Sequence, residues 1–77
     1  MMKVKLLLTS CFKRYADGED FLEVKVPEGS GVEDVLRKSG IPFDEVGFVH
    51  SDGKLKRMSE IVGDSEELKV FTRIIGG

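Results

Sequence analysis

The chain has 77 residues, 40% of them hydrophobic and 34% charged, the balance of one globular domain near the lower size limit for a self-sufficient core. A formal net charge of -2 and a pI near 5.3 argue against nucleic acid as the main partner, because no basic excess exists to displace phosphate counterions. With Cys11 the single cysteine and His50 the single histidine, neither an intramolecular disulfide nor a metal site is expected.

Lys3 and Lys5 precede Leu6-Leu7-Leu8-Thr9-Ser10-Cys11, which superficially resembles a lipoprotein cleavage site. The unbroken apolar run covers three leucines, short of the ~7–15 residues of a signal h-region. The start therefore reads as mature protein, with no membrane segment and a cytoplasmic location. Residues 3–9 instead alternate, with Val4, Leu6 and Leu8 on one face and Lys3, Lys5, Leu7 and Thr9 on the other, which predicts a strand with one buried face. Residues 10–19 read as a connection with its turn at Ala16-Asp17-Gly18. A second strand over 20–26 places Leu22, Val24 and Val26 opposite Phe21, Glu23 and Lys25, and its short link to the first predicts an antiparallel hairpin.

Pro27-Glu28-Gly29 stops that strand, and Ser30-Gly31-Val32-Glu33 has the form of a capping box, Ser30 accepting from Glu33 N–H and the Glu33 carboxylate reaching back. The spacing predicts a helix to about Ser39, with Val32, Val35 and Leu36 on its apolar stripe and Asp34, Arg37 and Lys38 outside it. Gly40 stands at the left-handed C-terminal position, Ile41 can fold back, and Pro42 prevents continuation. A third strand covers 46–50, and Ser51-Asp52-Gly53 turns the chain into a brief edge strand over 54–56. Residues 58–62 form a short irregular segment with Met58 and Ile61 available for the core. After the Gly63-Asp64-Ser65 turn, Leu68 and Val70 face inward on a last strand, placed beside the first in the middle of the sheet. One helix crossing a mixed sheet of four to five strands is an α+β plan.

The sequence ends Phe71-Thr72-Arg73-Ile74-Ile75-Gly76-Gly77. Two glycines at a fixed end are expected in about 0.5% of chains. Lacking Cβ atoms, they can lie extended in a cleft too narrow for other residues and leave a carboxyl carbon unhindered. A free α-carboxylate titrates near pH ~3.5, so at neutral pH it is ionised and can attack an activated phosphate. A frayed end is the ordinary alternative, but Phe71, Ile74 and Ile75 are too apolar for a solvated tail. The division expected is a domain over 1–73 and an extended tail over 74–77, with the Gly77 carboxylate as reactive group and Gly76, Ile75 and Ile74 delivering it.

Element order and ending together resemble the ubiquitin-like β-grasp fold, and more narrowly the ThiS/MoaD sulfur carriers of thiamine and molybdopterin synthesis. The residues that carry the resemblance are Val26-Pro27-Glu28-Gly29-Ser30, Val35-Leu36, Ser51-Asp52-Gly53-Lys54, Gly63-Asp64, Leu68-Lys69-Val70-Phe71 and Ile74-Ile75-Gly76-Gly77. Thr72-Arg73 stands where many members carry two prolines, and Ser65-Glu66-Glu67 is a residue or two longer than usual, which blurs the subfamily. The resemblance implies a carrier that is not itself an enzyme and binds no cofactor. ATP and magnesium are used by a partner adenylyltransferase of the ubiquitin-activating type, which adenylates Gly77. A sulfur donor protein then converts the adenylate to a thiocarboxylate, and an acceptor biosynthetic enzyme receives the sulfur. The rivals are a protein modifier joined to lysines through Gly77 and a non-covalent β-grasp binding module.

Other side chains read more plainly. Cys11 has no activating neighbour in sequence and reads as a buried or half-buried small residue at a strand end. His50 reads as structural or superficial, and Lys54, Lys56 and Arg57 as a solvated edge that discourages strand pairing. Period two puts Phe71 on the open face of the sheet beside Leu7, where the two would anchor a partner; a twist or bulge would instead return Phe71 to the core.

Overall fold

Alternating side chains generate five strands: β1 (Met2–Leu8), β2 (Phe21–Val26), β3 (Val46–Ser51), β4 (Lys54–Lys56) and β5 (Glu67–Thr72). The structure, a computed structural model, describes residues 1–72. The strands lie in the order β2-β1-β5-β3-β4. Only the central β1–β5 pair is parallel; β1–β2, β3–β5 and β3–β4 are antiparallel. The helix α1 (Val32–Ser39) supplies Val32, Val35 and Leu36 to the core. This is the ubiquitin-like β-grasp architecture predicted from the sequence, with β5 beside β1.

The core lies between α1 and one face of the sheet. Val4, Leu6, Leu68 and Val70 are fully buried there, with Val24, Val26, Val46 and Val49 nearly so. Each fully buried Val or Leu side chain stabilises by about 1.5–3 kcal/mol relative to exposure. The C-terminal end of α1 is as predicted: Gly40 has φ 86° and donates its N–H to Arg37 O, and Ile41 folds back into the core.

The N-terminal end differs. The N-cap is Gly31, not Ser30, and the Ser30 hydroxyl donates to Pro27 O at 2.7 Å. Gly31 has no side chain to accept from the helix, so only the return half of a box exists, Gly31 N–H to Asp34 Oδ2 at 2.9 Å. The first helical donors instead find backbone carbonyls of the 58–60 segment, Val32 N–H on Glu60 O (3.0 Å) and Glu33 N–H on Met58 O (3.1 Å). Glycine suits that close approach: a Cβ on Gly31 would sit 3.1 Å from Glu60 O, so a larger residue would make the 58–60 backbone give by a few tenths of an ångström. The Gly31–Ile61 bridge also reverses one core assignment. Ile61 is exposed, Val62 is buried, and Met58 packs at the margin.

The 10–19 connection contains more structure than its composition suggests. Ser10–Ala16 is a 3-10 helix that buries Phe12 and Ala16 and half-buries Tyr15. It ends at Asp17 in the left-handed region, φ 52°. Cys11 lies on the outer side of this helix and is exposed, not buried at a strand end.

Lys56 is not part of a solvated edge either. Its ammonium lies 2.8 Å from Glu66 Oε2, with both side chains about four-fifths buried (18% and 19% exposed). The same carboxylate accepts from the Ser51 hydroxyl and, at 2.7 Å, from Gly63 N–H. Burial alone would raise the Glu66 pKa; the hydrogen bonds from Lys56, Ser51 and Gly63, with the Lys56 charge, outweigh it and hold the carboxyl below its ordinary value. A depressed carboxylate stabilises the fold fully above the unfolded pKa, ~4.3, and that stability disappears as pH falls through the folded value. Glu66→Gln is therefore expected to lower stability at pH 7, with the gap to wild type closing below about pH 4. Urea titrations across that range check it; a gap independent of pH would mean the carboxylate charge contributes nothing.

Candidate functional site

The face of the sheet turned away from α1 carries the residues that alternation keeps out of the core. Cross-strand register lines up Phe21 with Leu7, Leu7 with Lys69, Lys69 with His50, and His50 with Leu55, a row crossing all five strands. Next to it, toward the C-terminal end of β5, Phe71 pairs with Phe48.

A bulge makes that second pair possible. Between Val46 opposite Thr72 and Phe48 opposite Phe71, Gly47 is an extra residue on β3. Both Val46 and Val49 can then point into the core, while Phe48 and His50 emerge on the open face. The Phe48 and Phe71 rings stack at 4.8 Å between centroids and 22° between planes. His50 closes the group, 5.2 Å from Phe48 and 5.0 Å, edge-on, from Phe71. Phe48 is 39% exposed, Phe21 43% and Leu55 63%. Lysines flank the rings, Lys69 Nζ at 5.6 Å from the Phe71 centroid and Lys5 Nζ at 4.7 Å from that of Phe21.

Leu7 and Phe71 line one depression of about 360 Å³ with His50, Asp52, Gly53, Glu67 and Lys69. The structure thus places both predicted anchors on the open face and brings them together. Phe48 and His50 were not legible as their partners; a glycine preceding an aromatic inside a strand is the only hint of the bulge. The larger hollow, about 640 Å³, lies elsewhere, between 26–30 and the outer side of α1. Of its polar lining, Ser30 is bonded to Pro27 O, Asp34 to Gly31 N–H and Arg37 to Glu33 and Asp34, so the aromatic face, with its exposed rings, is the better candidate.

At the end of β5 two short segments are tied together. Glu45 Oε1 accepts from Arg14 Nη2 (2.7 Å) and from the Tyr15 hydroxyl (3.0 Å), joining the Ser10–Ala16 helix to the 3-10 turn Phe43–Glu45. Thr72 Oγ1 lies 3.5 Å from Glu45 O. Thr72 thereby approaches the backbone of the turn that Arg14 and Tyr15 hold through Glu45. Gly77, Gly76, Ile75 and Ile74 lie outside the described residues. Among the described residues no group of three or more His, Cys, Asp or Glu could hold a metal ion, and no helix is long and apolar enough to cross a membrane.

No protein-family profile and no curated protein sequence matches the chain. Solved structures do match its fold. SAMP1 from Haloferax volcanii superposes with a TM-score of 0.77 at 20% identity, over 97% of this chain and 99% of that one. A protein described as molybdopterin converting factor, subunit 1, from Pyrococcus furiosus gives 0.74 at 24% identity, over 96% and 100%. The Haloferax volcanii HVO 2177 protein gives 0.77 at 20% identity, over 99% and 87%. At these identities the likeness is one of fold, and it spans the whole domain.

Proposed function

We propose that this β-grasp protein is a sulfur carrier that works through the carboxylate of Gly77. An ATP- and magnesium-using activating enzyme of the ubiquitin-activating type joins that carboxylate to the α-phosphorus of ATP, releasing pyrophosphate. The outer sulfur of a donor protein's persulfide then displaces AMP to form an acyl disulfide. A thiol of the partner machinery attacks the donor's inner sulfur, forming a disulfide there and releasing a Gly77 thiocarboxylate, which an acceptor enzyme of molybdopterin-like or thiamine-like cofactor synthesis consumes. The observation that carries this reading is the continuity of β5. Its last residues, Phe71 and Thr72, end the central strand of the sheet, and four residues after Thr72 the diglycine begins. A partner that grips the aromatic face therefore holds the root of the tail in a fixed place. The chain supplies no catalytic side chain in this scheme; nucleotide and metal belong to the activating enzyme.

A second reading is favoured by the likeness to a Haloferax volcanii protein named as a small archaeal modifier: the same activated Gly77 joined to lysines of other proteins. Intact mass of protein recovered from its native host separates the two. Replacement of one oxygen by sulfur at Gly77 supports the carrier, branched lysine conjugates support the modifier, and an unmodified chain in cells making the cofactor counts against both.

The aromatic face is the docking surface in this proposal. Phe71→Ala and Phe48→Ala are each expected to weaken the complex with the activating enzyme by on the order of 1–2 kcal/mol, with Leu7→Ala smaller. Calorimetric titration measures the affinity and denaturant titration the stability. If affinity stays at the wild-type value while stability falls, the stacked rings are a structural pair and docking occurs elsewhere.

A further inference from the structure

The free edge of β2 has a specific character. At the other end of the sheet, β4 has three residues, whereas β2 has six and, among the described residues, no neighbour beyond it. Leu8 N–H donates to Asp20 O at 2.8 Å, and the same ladder continues through Leu6–Leu22, Val4–Val24 and Met2–Val26. In an antiparallel pair, hydrogen-bonded and non-hydrogen-bonded positions alternate. Leu22, Val24 and Val26 therefore direct their backbone groups toward β1, and Phe21, Glu23 and Lys25 direct theirs outward.

We propose that β2 pairs antiparallel with β2 of a second copy of this chain, about a two-fold axis at Val24, joining the two sheets into one. Charge selects this partner and this register. With the axis at Val24, Glu23 lies opposite Lys25 of the second copy, and Lys25 opposite its Glu23, and each such pair can exchange both backbone hydrogen bonds. An axis at Glu23 would set that carboxylate against itself, and an axis at Lys25 would set two ammonium groups together; like charges directly opposite destabilise a sheet. Within one copy the cross-strand neighbour of Lys25 is Lys3, another cation, so Lys25 lacks a counter-charge in the ladder until a second copy supplies Glu23. Pro27 ends the ladder: it has no N–H, and its carbonyl already accepts from the Ser30 hydroxyl and Ser30 N–H, so the bonds between copies are those of the two Glu23–Lys25 pairs. Charged edge strands commonly keep sheets apart; here the charges alternate in sign so that the edge is complementary to itself. The axis leaves β5 and the Phe48–Phe71–His50 group of each copy free, because β1 lies between.

Sedimentation velocity of the full chain over a concentration series tests this, with a melting curve for each variant. Wild type is expected to show a reversible monomer–dimer equilibrium. Lys25→Glu or Glu23→Lys should raise the dissociation constant about tenfold, since two symmetric attractive pairs become repulsive. The double variant carrying both changes restores the complementarity in reverse and should return to near the wild-type value. Hydrogen exchange should show the amides of Glu23 and Lys25 gaining protection as concentration rises. A chain that remains monomeric throughout, a dimer indifferent to Lys25→Glu, or a double variant no better than the singles would overturn the proposal.

Discussion

Deletion of Gly77 is expected to abolish ATP-dependent adenylation while leaving the thermal midpoint almost unchanged. Six residues from Thr72 onward, extended at ~3.3–3.6 Å each, span roughly 20 Å, enough to carry a carboxylate from the sheet into a partner's nucleotide site. Removing one residue shortens that reach by about 3.5 Å, whereas a misplacement of ~1 Å can already cost a hundredfold in a positioned reaction. Gly76→Ala keeps the length but adds a methyl group where a narrow channel accepts only glycine, and should fail in the same assay. Stability should hold because the buried cluster already extends from Met2 to Val70. Pyrophosphate release with the activating enzyme of the same host, measured beside a melting curve, decides the matter. Adenylation of the shortened chain at the wild-type rate would remove the tail from the mechanism.

The largest effect on stability is expected at Phe12, in the Ser10–Ala16 helix. Its ring is fully buried in the core cluster, the largest side chain there. Phe→Ala in such a site costs about 3–5 kcal/mol, the transfer of the ring plus the cavity it leaves. At ~0.05–0.15 kcal/mol per residue, a domain of this size has only about 4–12 kcal/mol in total. Phe12→Ala should therefore populate the unfolded chain measurably even without denaturant, while Phe12→Leu retains most of the stability. A loss below about 1 kcal/mol in a urea titration would mean the helix is a loosely held flap over the sheet.

The sequence revealed the parts whose signal is periodic. Val4-Leu6-Leu8, Val24-Val26 and Leu68-Val70 each alternate cleanly, and each proved to be a strand with that face buried. Gly40-Ile41-Pro42 announced the end of α1 because each residue there has one strong conformational preference. Phe12 escaped because a short 3-10 helix has no distinctive apolar period; a lone aromatic between polar residues resembles a loop. The start of α1 was misplaced because Ser30 competed with carbonyls of Met58 and Glu60, nearly thirty residues away in sequence, for the same donors. Ile61, expected in the core, is exposed for the same reason, since the Gly31 bridge turns Val62 inward instead. At the candidate site, Leu7 and Phe71 followed from period two. Their neighbours Phe48 and His50 depended on the bulge at Gly47, which shifts the period of β3 partway along.

The parallel pairing of β1 with β5 has a consequence for how the protein is made. Ser65 N–H donates to Lys3 O and Thr9 Oγ1 to Val70 O, so contacts at the centre of the sheet join positions about sixty residues apart. Until β5 has emerged from the ribosome, β1 and β3 each lack the strand that separates them, and no subset of the earlier strands encloses the core. Such distant closure makes folding comparatively slow and all-or-none. A nascent or truncated chain without β5 has neither a finished sheet nor an aromatic face, since Phe71 is missing along with the strand. An activating enzyme that selects its substrate through that face would therefore meet only chains whose synthesis has passed the last strand, and the docking surface would double as a check on completion.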